Sequence, residues 1–304
     1  MSSRRSLSVA VSLVAAAALV LSGCSSNKES GGGSTGTGAA DIFKSVKVDS
    51  AMAALVPSSM KSAGTLTVGT DPSYAPNEIK DSNGNIVGFD IDLFNAVAAK
   101  LGLKTKYVQS VFDNILPGLT GGKYDIGVSS FTDNKTREKT VDFVTYYTAG
   151  IQWAAPKGKA VDPNNACGLK VSVQTGTTEE DDLHMKSSQC TSAGKKAIQI
   201  LKFDLQSEAT SNLVLGRVDA MSADYPVTVD AVNHNSSKIQ LVGQTNYGAA
   251  PYGYAVAKTS GTFKQALQKA VQALIDDGTY DKICKAWGLQ GGEIKTAQIN
   301  GATS

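Results

Sequence analysis

Between Leu66 and Val128 the chain switches repeatedly from short β-branched runs to apolar residues at helical spacing, and this alternation limits its fold more than any other feature. Leu66-Thr67-Val68-Gly69-Thr70 reads as a strand and runs into the turn residues Asp71-Pro72-Ser73. Asp81-Ser82-Asn83-Gly84-Asn85 has the composition of a hairpin turn. Asp90 is expected to cap a helix in which Ile91, Leu93, Phe94, Val97, Ala98 and Leu101 recur at helical spacing until Gly102 ends it. A strand over 104–108, a helix over 113–119, a strand over 124–128 and a helix near 135–139 continue the cycle. From about 151 to 250, strands are expected at 170–173, 198–201 and 219–221, with helices at 178–186, 207–215 and 226–232. A strand at 254–257 and helices at 263–276 and 280–286 follow Pro251. Such alternation packs as largely parallel sheets covered on both faces. Ligands then collect at the carboxyl ends of the strands, where loops and helix N-termini converge.

The N-terminus carries a different signal. Arg4 and Arg5 precede an apolar run from Leu7 to Leu21, which ends in Leu21-Ser22-Gly23-Cys24. A positive start, an apolar stretch shorter than the roughly 20 residues of a spanning helix and small residues before the cysteine describe a secretory signal peptide. The tetrapeptide resembles the bacterial lipoprotein box, which implies that Cys24 becomes a lipidated N-terminus. Ser25 to Ala40 is rich in glycine, serine and threonine and lacks large apolar residues, so it reads as a tether with a reach on the order of 20–25 Å. No later segment is long and apolar enough to span a bilayer.

About 260 residues remain from Asp41 onward, more than one compact core usually holds, and two lobes are expected. Lysine plus arginine number 29 and aspartate plus glutamate 27; removing Arg4 and Arg5 leaves 27 against 27. A neutral chain without a basic stripe argues against nucleic acid as a partner. Cys167 and Cys190 lie in one region and should pair in an oxidising compartment, whereas Cys284 reads as a small buried hydrophobe. With no Cys-x-x-Cys and with His184 and His234 far apart, neither a metal nor another cofactor is expected.

Three segments put polar groups where a cleft would form. Ser129-Ser130-Phe131-Thr132 follows a strand, and its loop ends in Arg137, the side chain best suited to grip a carboxylate through two parallel hydrogen bonds. Gln174-Thr175-Gly176-Thr177-Thr178-Glu179 follows another strand and opens a helix whose free N–H groups attract an anion. Asp224 follows a third and offers a carboxylate to an ammonium group, or caps the helix behind it. Asp90 and Asp92 read as helix-capping and surface groups.

From about Gly64 to Trp287 the chain resembles the bacterial extracellular solute-binding proteins for polar amino acids, notably the histidine-, lysine/arginine/ornithine- and glutamine-binding proteins. The likeness is carried by Thr70-Asp71-Pro72-Ser73-Tyr74-Ala75-Pro76, Gly88-Phe89-Asp90-Ile91-Asp92-Leu93, Phe112-Asp113-Asn114-Ile115-Leu116-Pro117-Gly118-Leu119, Tyr124-Asp125-Ile126, Arg137, Asp142-Phe143, Gly176-Thr177-Thr178 and Asp277-Gly278-Thr279-Tyr280. It implies an α/β fold of the type II periplasmic-binding-protein kind, two α/β lobes joined by a two-strand hinge with crossings near 151–153 and 250–253. It further implies a signal peptide over 1–23, a lipidated cysteine and tether over 24–41, a first lobe over 42–150 and 251–304, and a second over 151–250.

By the same resemblance Arg137 takes a ligand α-carboxylate with Ser129, Ser130, Thr132, Thr177 and Thr178, Asp224 takes the α-ammonium, and Tyr74 and Phe112 sandwich the side chain. Asp71 and Glu179 are then surplus acidic groups, which favours a cationic amino acid such as lysine, arginine, ornithine or histidine over glutamine or glutamate. Glu179 departs from the glutamine of the histidine-binding pattern, and Asn77 replaces its usual aromatic. The implied partners are the permease subunits of an ABC importer, reached by a monomer held at the extracytoplasmic membrane face. A sensor module would need a separate membrane partner, and an enzyme would need a nucleophile with a positioned base, which no segment supplies.

Overall fold

The computed structural model describes residues 39–303. The expected signal sequence, Cys24 and most of the tether lie outside these residues; Ala39 and Ala40, the tether's expected end, open a helical turn. The strands are β1 (Thr65–Thr70), β2 (Ile79–Lys80), β3 (Ile86–Val87), β4 (Lys104–Gln109), β5 (Ile126–Gly127), β6 (Val141–Pro156), β7 (Lys170–Gln174), β8 (Gln199–Phe203), β9 (Ala220–Asp224) and β10 (Ile239–Ala257). The helices are α1 (Ala39–Ile42), α2 (Ser50–Ala54), α3 (Ser58–Ala63), α4 (Phe89–Lys100), α5 (Ile115–Thr120), α6 (Thr178–Ser192), α7 (Gln206–Val214), α8 (Tyr225–His234), α9 (Phe263–Asp276) and α10 (Thr279–Trp287). Short 3-10 turns replace the helix expected near 135–139, leaving only Arg137–Lys139, and begin the one expected at 113.

Among the described residues, eight strands are hydrogen-bonded in the order β4-β1-β5-β10-β6-β9-β7-β8. β1 runs parallel to β4 and β5, and β7 runs parallel to β8 and β9, so each flank is the parallel α/β sheet that the alternation predicts. The central pair, β6 and β10, is antiparallel and belongs to both flanks. The 16 residues of β6 pair at one end with β10 beside β5 and at the other, over Ile151–Ala154, with β9. Val141-Asp142-Phe143-Val144-Thr145-Tyr146-Tyr147 is buried on both faces, so it lacks the polar alternation by which strands are recognised, and it was not expected as one.

The cores follow the flanks. Leu66 and Val68 of β1 pack with Phe89, Leu93 and Phe94 of α4 and with Leu267, Val271 and Leu274 of α9. On the other face of that sheet Ile115, Leu119, Tyr124, Phe131 and Phe143 form a second cluster. In the second lobe Trp153, Val171, Val173 and Leu183 cluster on one face, and Leu213, Met221 and Val227 on the other. Each fully buried side chain of this size contributes roughly 1.5–3 kcal/mol. Ile151–Trp153 pairs with β9, and Gly150 just before it faces a β10 segment with register shifts between Val242 and Tyr247 and between Tyr247 and Ala250. A Cβ on Gly150 would stand 2.5 Å from the Tyr247 carbonyl oxygen, so only glycine lets the two strands approach this closely.

Asp90 does not cap α4. The helix starts at Phe89 with Gly88 at the N-cap, φ 142°, where a side chain would collide with the Asn77 carbonyl. Asp90 is wholly buried, and Asp92, 5% exposed, accepts a hydrogen bond from the Trp287 indole at 2.9 Å, so neither is a surface group.

Cys167 and Cys190 are disulfide-bonded, and Cys284 is buried and free. The bond ties the start of β7 to the end of α6 across 23 residues. Replacing both cysteines with serine should lower the unfolding free energy by about 3 kcal/mol, the loop-closure entropy of a ring this size. Urea unfolding checks this, and an unchanged midpoint would contradict it.

Candidate functional site

The carboxyl ends of β1, β5, β7 and β9 meet around one small, partly open cavity. It is lined by Tyr74, Phe112, Ser130, Thr132 and Arg137 from the first lobe and by Thr177, Thr178, Glu179 and Asp224 from the second. Nine of the eleven sequence-expected residues are therefore brought together. Asp71 and Ser129 are buried but do not line it; the Asp71 backbone N–H donates to Ser129 Oγ at 3.1 Å.

Arg137 reaches the cavity from the start of a 3-10 turn. Its guanidinium donates to the carbonyls of Thr132 and Gly176, each at 2.9 Å, and lies over the Phe112 ring at 5.6 Å. Burial pulls its pKa down, opposed by the charges of Glu179, Asp181 and Asp224. Guanidinium remains protonated under such a shift, so the cation is permanent.

Asp224 stands at the N-cap position of α8, yet its side chain makes no capping bond to the helix. It accepts instead from the Tyr74 hydroxyl at 2.6 Å, across the cleft. Burial pushes its pKa up to about 6, against the hydrogen bond from Tyr74. Glu179, in the first turn of α6, is 2% exposed and has a partnerless Oε1. Burial, followed by the charge of Asp224, holds its carboxyl well above the usual range. Thr177 caps α6 by accepting the Glu180 N–H at 3.2 Å, which fixes the helix start at the cavity.

Further bonds close the cleft. Gln174, the last residue of β7, donates to Asp71 Oδ2 at 2.6 Å and to the Asp204 carbonyl at 3.0 Å, leaving Asp71 Oδ1 without a partner. The hydroxyls of Thr132 and Thr178 are 3.3 Å apart, and the Gln206 N–H donates to Ser73 Oγ at 3.1 Å. Gln174 was not singled out from the sequence, although its place at the carboxyl end of a strand is the signal that marked Asp224. Tyr252 was missed as well; burial and the negative charge of Asp224 hold its phenol well above the ordinary value.

One permanent cation thus faces two lining carboxyls and a third behind them, an arrangement that can hold a small ion carrying charges of both signs. The lining residues include no histidine, cysteine or lysine.

The sequence profile of the bacterial extracellular solute-binding proteins, family 3, matches residues 66–290. The chain is 37% identical over 302 residues to the arginine-binding protein ArgT of Corynebacterium glutamicum, covering 98% of this chain and 96% of that one. It is 30% identical over 236 residues to the lysine/arginine/ornithine-binding periplasmic protein of Escherichia coli, covering 73% and 87% of the two. Among solved structures, an ancestral arginine-binding protein bound to arginine superposes with a TM-score of 0.69 at 39% identity, covering 74% of this chain and 98% of that one.

Removing the hydroxyl that stabilises the Asp224 carboxylate should raise its pKa. In Tyr74→Phe the Asp224 carboxyl, followed by carbon NMR, should titrate above the value near 6 of the parent; an unchanged titration would show that the bond across the cleft does not form in solution.

Proposed function

We propose, from the premise that this chain belongs to the bacterial extracellular solute-binding proteins of family 3, that it captures a cationic L-amino acid between two lobes and hands it to the permease of an ABC importer. The fold is the type II periplasmic-binding-protein fold, with lobe boundaries near 150/151 and 250/251 and with β6 and β10 as the two hinge strands. The observation that carries the reading is the convergence of Arg137 and Asp224, one from each lobe, on a single cavity.

Arg137 pairs with the ligand α-carboxylate, assisted by Ser130, Thr132 and the N–H groups at the start of α6. Asp224 takes the α-ammonium, and Tyr74 and Phe112 flank the side chain. With the ligand backbone neutralised, Glu179 and Asp71 supply surplus negative charge for a guanidinium or ammonium. Relatives that are arginine- and lysine/arginine/ornithine-binding proteins support this preference. Closure follows because a zwitterion touching both lobes stabilises the closed form over the open one. The relatives are solute-binding proteins and not enzymes.

The mature protein is a monomeric lipoprotein, tethered through diacylated Cys24 at the extracytoplasmic face of the cell membrane. Arg4, Arg5 and Leu21-Ser22-Gly23-Cys24 support this. Cys24→Ser should move the protein from the membrane fraction to the soluble fraction, as checked by fractionation.

Thermal shifts across the twenty amino acids and ornithine should place arginine, lysine and ornithine above glutamine and glutamate; stabilisation by the amide or acid alone would reverse the assignment. Arg137→Ala leaves the α-carboxylate buried without its partner, which costs roughly 2–5 kcal/mol, so calorimetry should show affinity for the preferred ligand falling at least about 30-fold. Affinity for a cationic ligand should also weaken as pH drops from 8 to 5. Asp224, near 6, takes up a proton over that range, burial biases Glu179 in the same direction, and a protonated carboxyl no longer attracts a cation. Calorimetry in buffers of differing ionisation heat should register proton release on binding.

A further inference from the structure

Behind the cavity, on the first-lobe side, lies a polar cluster that touches none of its space. Asn77, Glu78, Asp90 and Tyr146 are all wholly buried, and Ser130 alone connects them to the cavity wall. Asp90 Oδ2 accepts the Ser130 N–H at 2.9 Å, the Ser130 hydroxyl at 3.3 Å and the Tyr146 hydroxyl. Glu78 Oε1 lies 3.2 Å from Ser130 Oγ, to which Asn77 Nδ2 donates at 2.8 Å. Ser130 has φ 50°, a left-handed conformation that a residue with a side chain keeps only when its surroundings impose it.

The same cluster holds the loop that carries Tyr74. Tyr74 N–H donates to the Glu78 carbonyl at 2.9 Å, Glu78 N–H returns to the Tyr74 carbonyl at 3.2 Å, and Asp90 N–H donates to the Asn77 carbonyl at 3.1 Å. Two carboxyls thus meet in a volume closed to water. The titratable groups facing them are Asp71, Tyr107, Tyr146 and Tyr254, with Tyr147 more distant, and none is cationic. The Glu78 and Asp90 carboxyls are within hydrogen-bond reach of each other, and Glu78 Oε2 and Asp90 Oδ1 receive no other donor. Two like charges so placed cannot both persist.

Resting on the ligand-binding reading of the cavity, we infer that Glu78 and Asp90 hold one proton between them and act as positioning residues, locking Ser130 and the Tyr74 loop into the first-lobe wall of the site. The proton resides mainly on Glu78, because Asp90 receives the N–H and hydroxyl donors that stabilise a carboxylate. Burial and the charge of Asp90 together raise the Glu78 carboxyl well above its ordinary value.

Thermal unfolding of the protein alone between pH 5 and 8 tests this without recourse to any ligand. The folded protein keeps a proton that the unfolded chain gives up above about pH 4.3, so the contribution of Glu78 is fully present below that pH and is lost as pH rises toward the folded value. The unfolding constant of the parent should grow by up to about tenfold per pH unit from this group alone. Glu78→Gln cannot titrate, so its melting temperature relative to the parent should climb steadily from pH 5 to 8. Asp92→Asn removes a carboxyl pushed up only to about 6, and its relative gain should level off above that pH.

In calorimetry with L-arginine at pH 7, Glu78→Gln should bind within about threefold of the parent, and Glu78→Ala should bind at least tenfold more weakly. A melting difference for Glu78→Gln that stays flat from pH 5 to 8, or a glutamine variant as damaging to binding as alanine, would overturn the inference. A parent protein that binds no amino acid would instead overturn the proposed function, and the melting series would still decide the shared proton.

Discussion

Burial of unequal charge in a small cavity is the constraint from which the rest of this structure follows. One guanidinium and two carboxyls line it, and a third carboxyl, Asp71, lies just behind. A buried ion without a partner costs several kcal/mol, so such a set persists only if protons, hydrogen bonds or a ligand balance it. Within the protein, Arg137 is held by two carbonyls and Asp224 by the Tyr74 hydroxyl, while burial pushes Glu179 toward protonation. A ligand with two positive groups and one negative group can replace those protons, which ties affinity, charge selectivity and pH dependence to one cause.

Neither lobe can meet that requirement alone. The first supplies the cation and the aromatic walls; the second supplies the two lining carboxyls and the helix start. Each lobe has apolar clusters on both faces of its own sheet, so the groups it presents move as a unit. Tyr74 packs with the second-lobe cluster although its chain neighbours belong to the first lobe, which is how a closed cleft registers in side-chain packing.

Most of the parallel architecture was legible because its strands and helices switch period cleanly, as in β1 followed by α4 or β7 followed by α6. The cavity residues were legible because they lie at the carboxyl ends of those strands and within motifs that resemble a known family. What stayed hidden has physical reasons. The first half of β6 is buried on both faces and reads as an apolar run without a period. Asp90 stands where a capping residue is expected, but Gly88 takes that place, and the carboxyl turns inward to a serine 40 positions away, a pairing no local pattern encodes. Gln174 ends its strand as Asp224 does, yet an uncharged side chain gave no reason to single it out.

The balance between open and closed forms can be argued from the same contacts. Hydrogen bonds between Tyr74 and Asp224, Arg137 and Gly176, Gln174 and Asp71, Thr132 and Thr178, and Gln206 and Ser73 cross the cleft. The partnerless Glu179 Oε1 opposes these bonds, since a buried polar atom without a partner costs about 1–3 kcal/mol, and a ligand that satisfies it favours closure. The hinge must then bend at small cost. The register shifts of β10 between Val242 and Gly253, the left-handed Asn246 at φ 52° and the side-chain-free Gly150 opposite place irregular geometry between two stiff bodies. Bending confined there leaves both sheets intact, which keeps the two halves of the binding site accurate while the distance between them changes.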